Sequence, residues 1–362
     1  MKRVFLAVCF FISVSILPGQ PKKDVGPSTP KSESKPQPNT SRIWGSTFAD
    51  YSYQARATDS AKTGANAFEF RRIYLGYDQD LSAQFAIRIL IEADKFETTT
   101  SGVMPFFAKQ VYLEWKNILP MSSAYFGLVQ TPSLGLAEKY WGYRSLEKVI
   151  LDRTGLVSIN DMGLALKGKV SNDGTAGYAL TVGNGRGGKV ENDNFKKIYG
   201  EFYFEPLHGG VLELYADYEG GDSNKGKLTG KGFVGYQLSD ISIGAEGFYR
   251  KVQQGTFSST GVSADSNLVG ASAYVSFGVV EDVRCVLRGD YYDADFDVKD
   301  AGVRELYFVG AIDYAASQDI HIMPNVLYTT YPYKVKLSGN PVLRDDIVLR
   351  LTVACAFSTQ LR

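Results

Sequence analysis

The residues best suited to act on something outside the chain lie in the run 131–160. It carries Glu138, Lys139, Arg144, Glu147, Lys148, Asp152 and Arg153, with Asp161 just beyond, interleaved with Tyr140, Trp141 and Tyr143. Mixed charges held across an aqueous passage would narrow it and set a transverse field that orients a passing solute. The alternative is an external, solvated loop. Bond-breaking chemistry is not indicated. A nucleophile needs a base within hydrogen-bond reach, and the only histidines, His208 and His321, sit beside short turns where contact with water is the plain role. No enzyme is expected.

A second set of charges recurs at alternate positions along otherwise apolar segments. The cations are Arg88, Lys167, Lys169, Lys197, Arg250, Arg284, Arg288 and Arg350. The carboxylates are Glu92, Glu114, Glu201, Glu213, Asp217, Glu246, Asp290, Glu305, Asp313 and Asp346. Neither sign wins, just as the whole chain balances 39 Lys+Arg against 39 Asp+Glu. Selecting ions by sign requires an uncompensated ring of charge, so weak selectivity is expected. Zero net charge gives no argument for a nucleic-acid or acidic partner.

Two motifs read as structure. Gly183-Asn184-Gly185-Arg186-Gly187-Gly188 matches GxGxxG, but dinucleotide binding needs a helix next, and KVENDNFKK returns to strand. A glycine-rich external loop is the reading. Asp290, Asp293, Asp295 and Asp297 gather at a loop base without the glycine and terminal Glu of a calcium loop, which leaves weak cation or lipopolysaccharide bridging. No cofactor and no metal site are expected. Cys285 and Cys355 fall on apolar positions of separate strands; three strands apart, they are too distant for a disulfide.

The elements that must hold these charges have a period of two. Phe85, Ile87, Ile89 and Ile91 share one side of their segment, while Gln84, Arg88, Glu92 and Asp94 take the other. A strand sends alternate side chains to opposite faces, so one face is greasy and the other wet. About sixteen such segments follow from Ile43 onward. One set lies near 43–55, 82–94, 122–130, 175–184, 210–219, 241–251, 282–292 and 319–329. The other lies near 67–77, 107–116, 161–170, 196–205, 230–238, 268–278, 304–314 and 346–357. Short turns rich in Asp, Asn, Gly or Pro alternate with long polar loops. A closed sheet with its apolar face outward gives that order: an all-β, transmembrane antiparallel barrel with periplasmic termini, a polar lumen and a long third external loop.

Other features agree. Trp115, Phe204, Tyr236, Phe277, Tyr314 and Phe357 fall on outward positions near one end of the strands. Tyr53, Tyr218, Tyr249, Tyr291 and Tyr328 do so near the other, as two interfacial girdles. Lys109, Lys251 and Arg304 also read as outward, at strand tops. A phase change across Arg71-Arg72 predicts a β-bulge, and Pro324 predicts a lost ladder bond or another bulge. Residues 1–19, with Lys2 and Arg3 before an apolar run, read as a signal peptide. Residues 20–42, rich in Pro, Ser and Lys, read as a disordered periplasmic arm. The barrel is assigned to 43–357 and a short tail to 358–362. Its last strand ends on the aromatic Phe357, as signals for the barrel-assembly machinery do, and trimming the tail is expected to leave insertion intact.

Phe68-Glu69-Phe70-Arg71-Arg72 followed by DLSAQFAIRILIEAD resembles the first hairpin of the phosphate-selective porin O/P family. The likeness continues through GLVQTP at 127–132, WGYRSLEK…LDRTG…INDMGLALKG at 141–168 and YALTVGNG at 178–185, about the first half of the barrel. The resemblance implies a sixteen-stranded, trimeric outer-membrane channel for small anions, such as phosphate, or for hydrophilic solutes in general, with its third loop folded into the pore; it does not by itself make phosphate the substrate. The rival expectation is a plugged, non-conducting barrel serving as anchor or adhesin. In either case outer-membrane lipid is the surrounding partner.

Overall fold

The structure is a computed structural model that describes residues 40–95, 102–222, 225–257, 263–297, 304–332 and 344–361. Its sixteen antiparallel strands each pair with their neighbours in sequence, and pairing of the first with the last closes the barrel. Strands running away from the short turns are β1 (Ser41–Arg56), β3 (Phe85–Asp94), β5 (Ser122–Gln130), β7 (Ala176–Gly183), β9 (Gly210–Glu219), β11 (Ile241–Phe257), β13 (Val283–Asp293) and β15 (Ile320–Thr330). Returning strands are β2 (Asn66–Asp80), β4 (Phe106–Leu119), β6 (Asn160–Lys169), β8 (Lys197–Phe204), β10 (Lys227–Gln237), β12 (Ser263–Val280), β14 (Arg304–Ser317) and β16 (Asp346–Leu361). The signal peptide assigned to 1–19, and the arm up to residue 39, lie outside the described residues.

β9 shows why these sequences close a barrel with lipid outside. Glu213 is 2% exposed and Tyr215 3%, while their neighbours Leu212 and Leu214 are 49% and 69% exposed. Such an arrangement would be ruinous in water, where large apolar surfaces are unfavourable and buried charges need partners. In a bilayer it is the stable one, because lipid solvates the leucines and the closed ladder leaves no unpaired sheet edge. No helix among the described residues is long and apolar enough to cross a membrane; the crossing is made by strands. Trp115, Phe204, Phe277, Tyr314 and Phe357, and at the other end Tyr53, Tyr218, Tyr249 and Tyr291, are exposed on the outer face as two bands.

Register irregularities re-aim particular side chains. Phe48 pairs with Arg72 and Ala49 with Phe70, so Arg71 is the extra residue of a bulge. Both guanidiniums then point inward, Arg71 to Asp50 at 2.7 Å and Arg72 to Asp94 at 2.7 Å. A second bulge, not read from sequence, skips Lys109 between β3 and β4. It turns Lys109 from the outward side to the lumen, where its ammonium pairs with Glu92 and lies 5.3 Å from the Tyr74 ring centroid. Parity counting fails there because one extra residue inverts every side chain. Lys251 does stay at an exposed strand top, paired with Asp265 at 2.8 Å, and Arg304 pairs with Asp293 at 2.7 Å.

Pro324 keeps its place in β15 opposite Leu351. Toward β14 the ladder jumps from Ala311–Asn325 to Tyr314–Ile322 and resumes in the same register. This is a lost rung and not a bulge, as expected of a residue without an N–H. The strand boundaries run past those expected. Ser41–Trp44 pair with Ser358–Leu361, so residues assigned to arm and tail extend β1 and β16. Their side chains lack apolar alternation; backbone pairing orders them, joined at Arg42 by an ion pair with Asp78 at 2.9 Å. Cys285 and Cys355 are free thiols.

Candidate functional site

Inward positions of β9 to β15 are unexpectedly apolar. Val211, Phe233, Phe248, Tyr274, Val286, Tyr307, Val309 and Met323 all face the lumen and are all buried. What buries them is the loop after β5. It folds back inside the barrel as α1 (Gly135–Trp141) and α2 (Ile150–Arg153). Leu134, Trp141, Leu146, Ile150 and Leu151 of this loop are each at most 1% exposed and form one cluster with that wall. The alternative of an external, solvated loop is thereby excluded. The signal was present in the sequence: apolar residues at lumen-facing parity need a cover, and only this loop is long and greasy enough.

Polar bonds fix the loop at intervals. Lys231 reaches Glu213 at 2.7 Å and the Ser133 carbonyl at 2.7 Å. Ser242 Oγ donates to the Tyr140 carbonyl at 2.8 Å, and the Ile150 amide donates to Glu246 Oε1 at 3.2 Å. Arg288 holds Asp290 and, at 2.7 Å, the Lys148 carbonyl. Arg153 pairs with Asp290 at 3.1 Å and Glu305 at 2.5 Å. Arg71 and Arg350 both donate to the Leu146 carbonyl. Tyr143 donates to Asp313 at 3.1 Å, and Asp313 also meets His321 Nδ1 at 2.8 Å.

Glu147 is a loop charge that meets several groups of the barrel wall. Burial alone would favour its neutral acid. The Lys148 amide, the Arg350 and Arg71 guanidiniums and the Tyr307 hydroxyl outweigh that and hold the carboxyl below its usual range. Tyr307 donates to Glu147 Oε2 at 2.9 Å.

The charges expected to line an aqueous path therefore divide. Glu246, Arg288, Asp290, Glu305 and Arg350 lie under the loop as anchors, as do Glu147 and Arg153 from the loop itself. On the opposite wall, Arg88 pairs with Asp78 at 2.6 Å, and Glu92 joins Arg72 and Lys109. Glu114 accepts from Tyr125 at 3.2 Å. Lys167 and Lys169 donate to the carbonyls of Gln130 and Gly174 at 2.7 and 2.8 Å, and Lys197 pairs with Asp217 at 3.2 Å. Glu201 lies opposite Tyr215 and diagonal to Glu213 on the neighbouring strand. Arg250 donates to Thr229 and the Leu156 carbonyl, and Arg284 to the Ser239 carbonyl at 3.0 Å. Of the remaining loop charges, Arg144 joins Glu138 and Asp152, Lys148 reaches Asp152 at 3.5 Å, and Lys139 is exposed. Asp50, Arg71, Arg72 and Lys109 were missed by sequence reading, the last three because of the bulges.

Between the loop and the wall of β2 to β4 and β8 to β11, at the long-loop end, a cavity of about 900 Å³ stays open. Among the described residues, nine Lys or Arg and five Asp or Glu line it. The glycine-rich segment forms one side, and its amides face a carboxylate of the chain itself. Asp161 accepts from Gly185 N at 2.6 Å, Gly187 N at 3.1 Å and Tyr199 Oη at 2.8 Å. Gly185 and Gly187 have φ of +81° and +65°, which a side chain would strain. The GxGxxG match is thus an internal clasp. Asp293 and Asp295 are buried at their loop base, Asp293 paired with Arg304 and Asp295 accepting from the Asn267 amide.

No family model matches the chain, and no curated relative matches it in sequence. Comparison with solved structures is different. DcaP, an outer-membrane channel of Acinetobacter baumannii, superposes with a TM-score of 0.63 at 11% identity over 88% of this chain and 97% of that one. An anion-selective porin from Comamonas acidovorans gives 0.62 at 12% over 88% and 100%, and OmpF of Salmonella typhi gives 0.62 at 8% over 88% and 97%. The fold is that of outer-membrane porins. At such identities the likeness speaks for architecture alone, and the narrower phosphate-selective family is not confirmed by it.

Proposed function

We propose that this protein is a porin of the bacterial outer membrane, admitting small hydrophilic solutes passively with a modest preference for anions, phosphate among them. One observation carries the reading: the inward loop covers the apolar half of the lumen wall and leaves a charged cavity of about 900 Å³ open against the other half. The excess of cations around the outer cavity favours anions at the entrance by raising their local concentration. The mixed charges deeper in, Arg88, Glu114, Lys167, Lys169 and Glu201, argue against strict exclusion of cations. The proposed assembly is a homotrimer in lipid, inserted by the barrel-assembly machinery, with its termini in the periplasm.

Planar-bilayer recording tests this reading. The purified protein should give ohmic current steps and, in a potassium chloride gradient, a reversal potential displaced modestly toward that of chloride. Silence from protein whose gel migration is normally heat-modifiable would favour the plugged anchor. A displacement toward potassium would refute the anion preference.

A further inference from the structure

The outer cavity combines two linings that a passage for inorganic ions does not need together. Phe107, Leu156, Val157 and Ile159 form an apolar ledge along one side, at the junction of β4 with the end of the inward loop. Across from it the glycine-rich segment presents Arg186 and Lys189. The segment is fixed beside the ledge by close backbone approach: a Cβ at Gly187 would meet Ser158 Oγ at 2.6 Å, and one at Gly188 would lie 3.6 Å from the Ala108 carbonyl. Arg186 Nε is buried with no hydrogen-bond partner. Most other cations of the cavity are already committed to carboxylates, as Arg72 is to Asp94, Arg144 to Asp152 and Lys227 to Glu219. Arg186 is half-buried at the cavity edge and has no carboxylate partner among the described residues, so its charge is open to compensation by an anionic solute.

We propose that this cavity is a binding subsite for organic anions with an apolar body. The anionic head goes to Arg186 and Lys189, and an aromatic or branched hydrocarbon part lies on Phe107, Leu156, Val157 and Ile159. This names a solute class for the pore proposed above and rests on that reading. Asp161, by occupying the Gly185 and Gly187 amides, holds the segment at the height that presents Arg186. A cavity of about 900 Å³ accommodates a two-ring carboxylate with room for water.

The test uses three probes, 2-naphthoate, acetate and inorganic phosphate, on the full chain. Block of single-channel current is measured in bilayers, and binding in detergent by calorimetry. Naphthoate should bind roughly tenfold or more tighter than acetate, since the two differ only in apolar area. It should also bind tighter than phosphate. The double variant R186Q/K189Q should weaken naphthoate about tenfold, and I159S should reduce the naphthoate-to-acetate ratio while leaving acetate little changed. Equal affinity for the three probes, preference for phosphate, or indifference to R186Q/K189Q in heat-modifiable protein would overturn the subsite. Current steps without calorimetric binding would remove the subsite and keep the pore; calorimetric preference without current would do the reverse.

Discussion

Single side chains decide whether the inward loop stays down. Glu147 receives the Tyr307 hydroxyl and its neighbour's amide and sits in the field of Arg71 and Arg350. A carboxyl whose pKa falls on folding contributes stability above its unfolded value and loses it as pH drops through the folded one. Anchorage through Glu147 should therefore be complete above roughly pH 4.5 and fade below it. Limited proteolysis within 131–160 should rise as the medium is taken below that point. E147Q should weaken the anchorage by about 1.5–3 kcal/mol at neutral pH, read as faster nicking at the same protease concentration. Equal nicking rates for E147Q and wild type would remove Glu147 from this role. At this scale the sequence was legible wherever alternation held, as at Arg88 and Glu92. It misled at Lys109, where an unannounced extra residue reversed the facing.

Among the elements, the decisive contact is between α1 and the lumen wall. Trp141 is 1% exposed against Tyr274 and within 5.0 Å of its ring centroid. Truncating a buried Trp costs about 3–5 kcal/mol, so W141A should free the loop and raise single-channel conductance. Unchanged conductance in W141A would mean that the loop does not narrow the path. The strands themselves were legible because period-two patterning and turn residues are local. The inward fold of 131–160 was less so, since inward positions were read as wet throughout. Phe233, Phe248 and Val286 contradicted that assumption, and they mark where the lumen is covered.

For the molecule as a whole, stability rests on the inversion of inside and outside. L214R, placing a cation on the lipid face midway along β9, should cost about 2–4 kcal/mol in urea-dependent folding into vesicles. A charged substitution tolerated there as at a lumen position would contradict the membrane reading. Removing residues 358–362 strips the partners of Ser41–Trp44, so insertion should survive while the temperature of gel-detected unfolding falls. The rung missing at Pro324 leaves β14 and β15 joined above and below a gap. Challenged by hot detergent, the cylinder should part first along that seam, opening into a sheet with β15 at one edge and β16 still paired to β1. Deuterium uptake at the Ile312 amide, which faces that gap, should run ahead of its neighbours long before the ring opens.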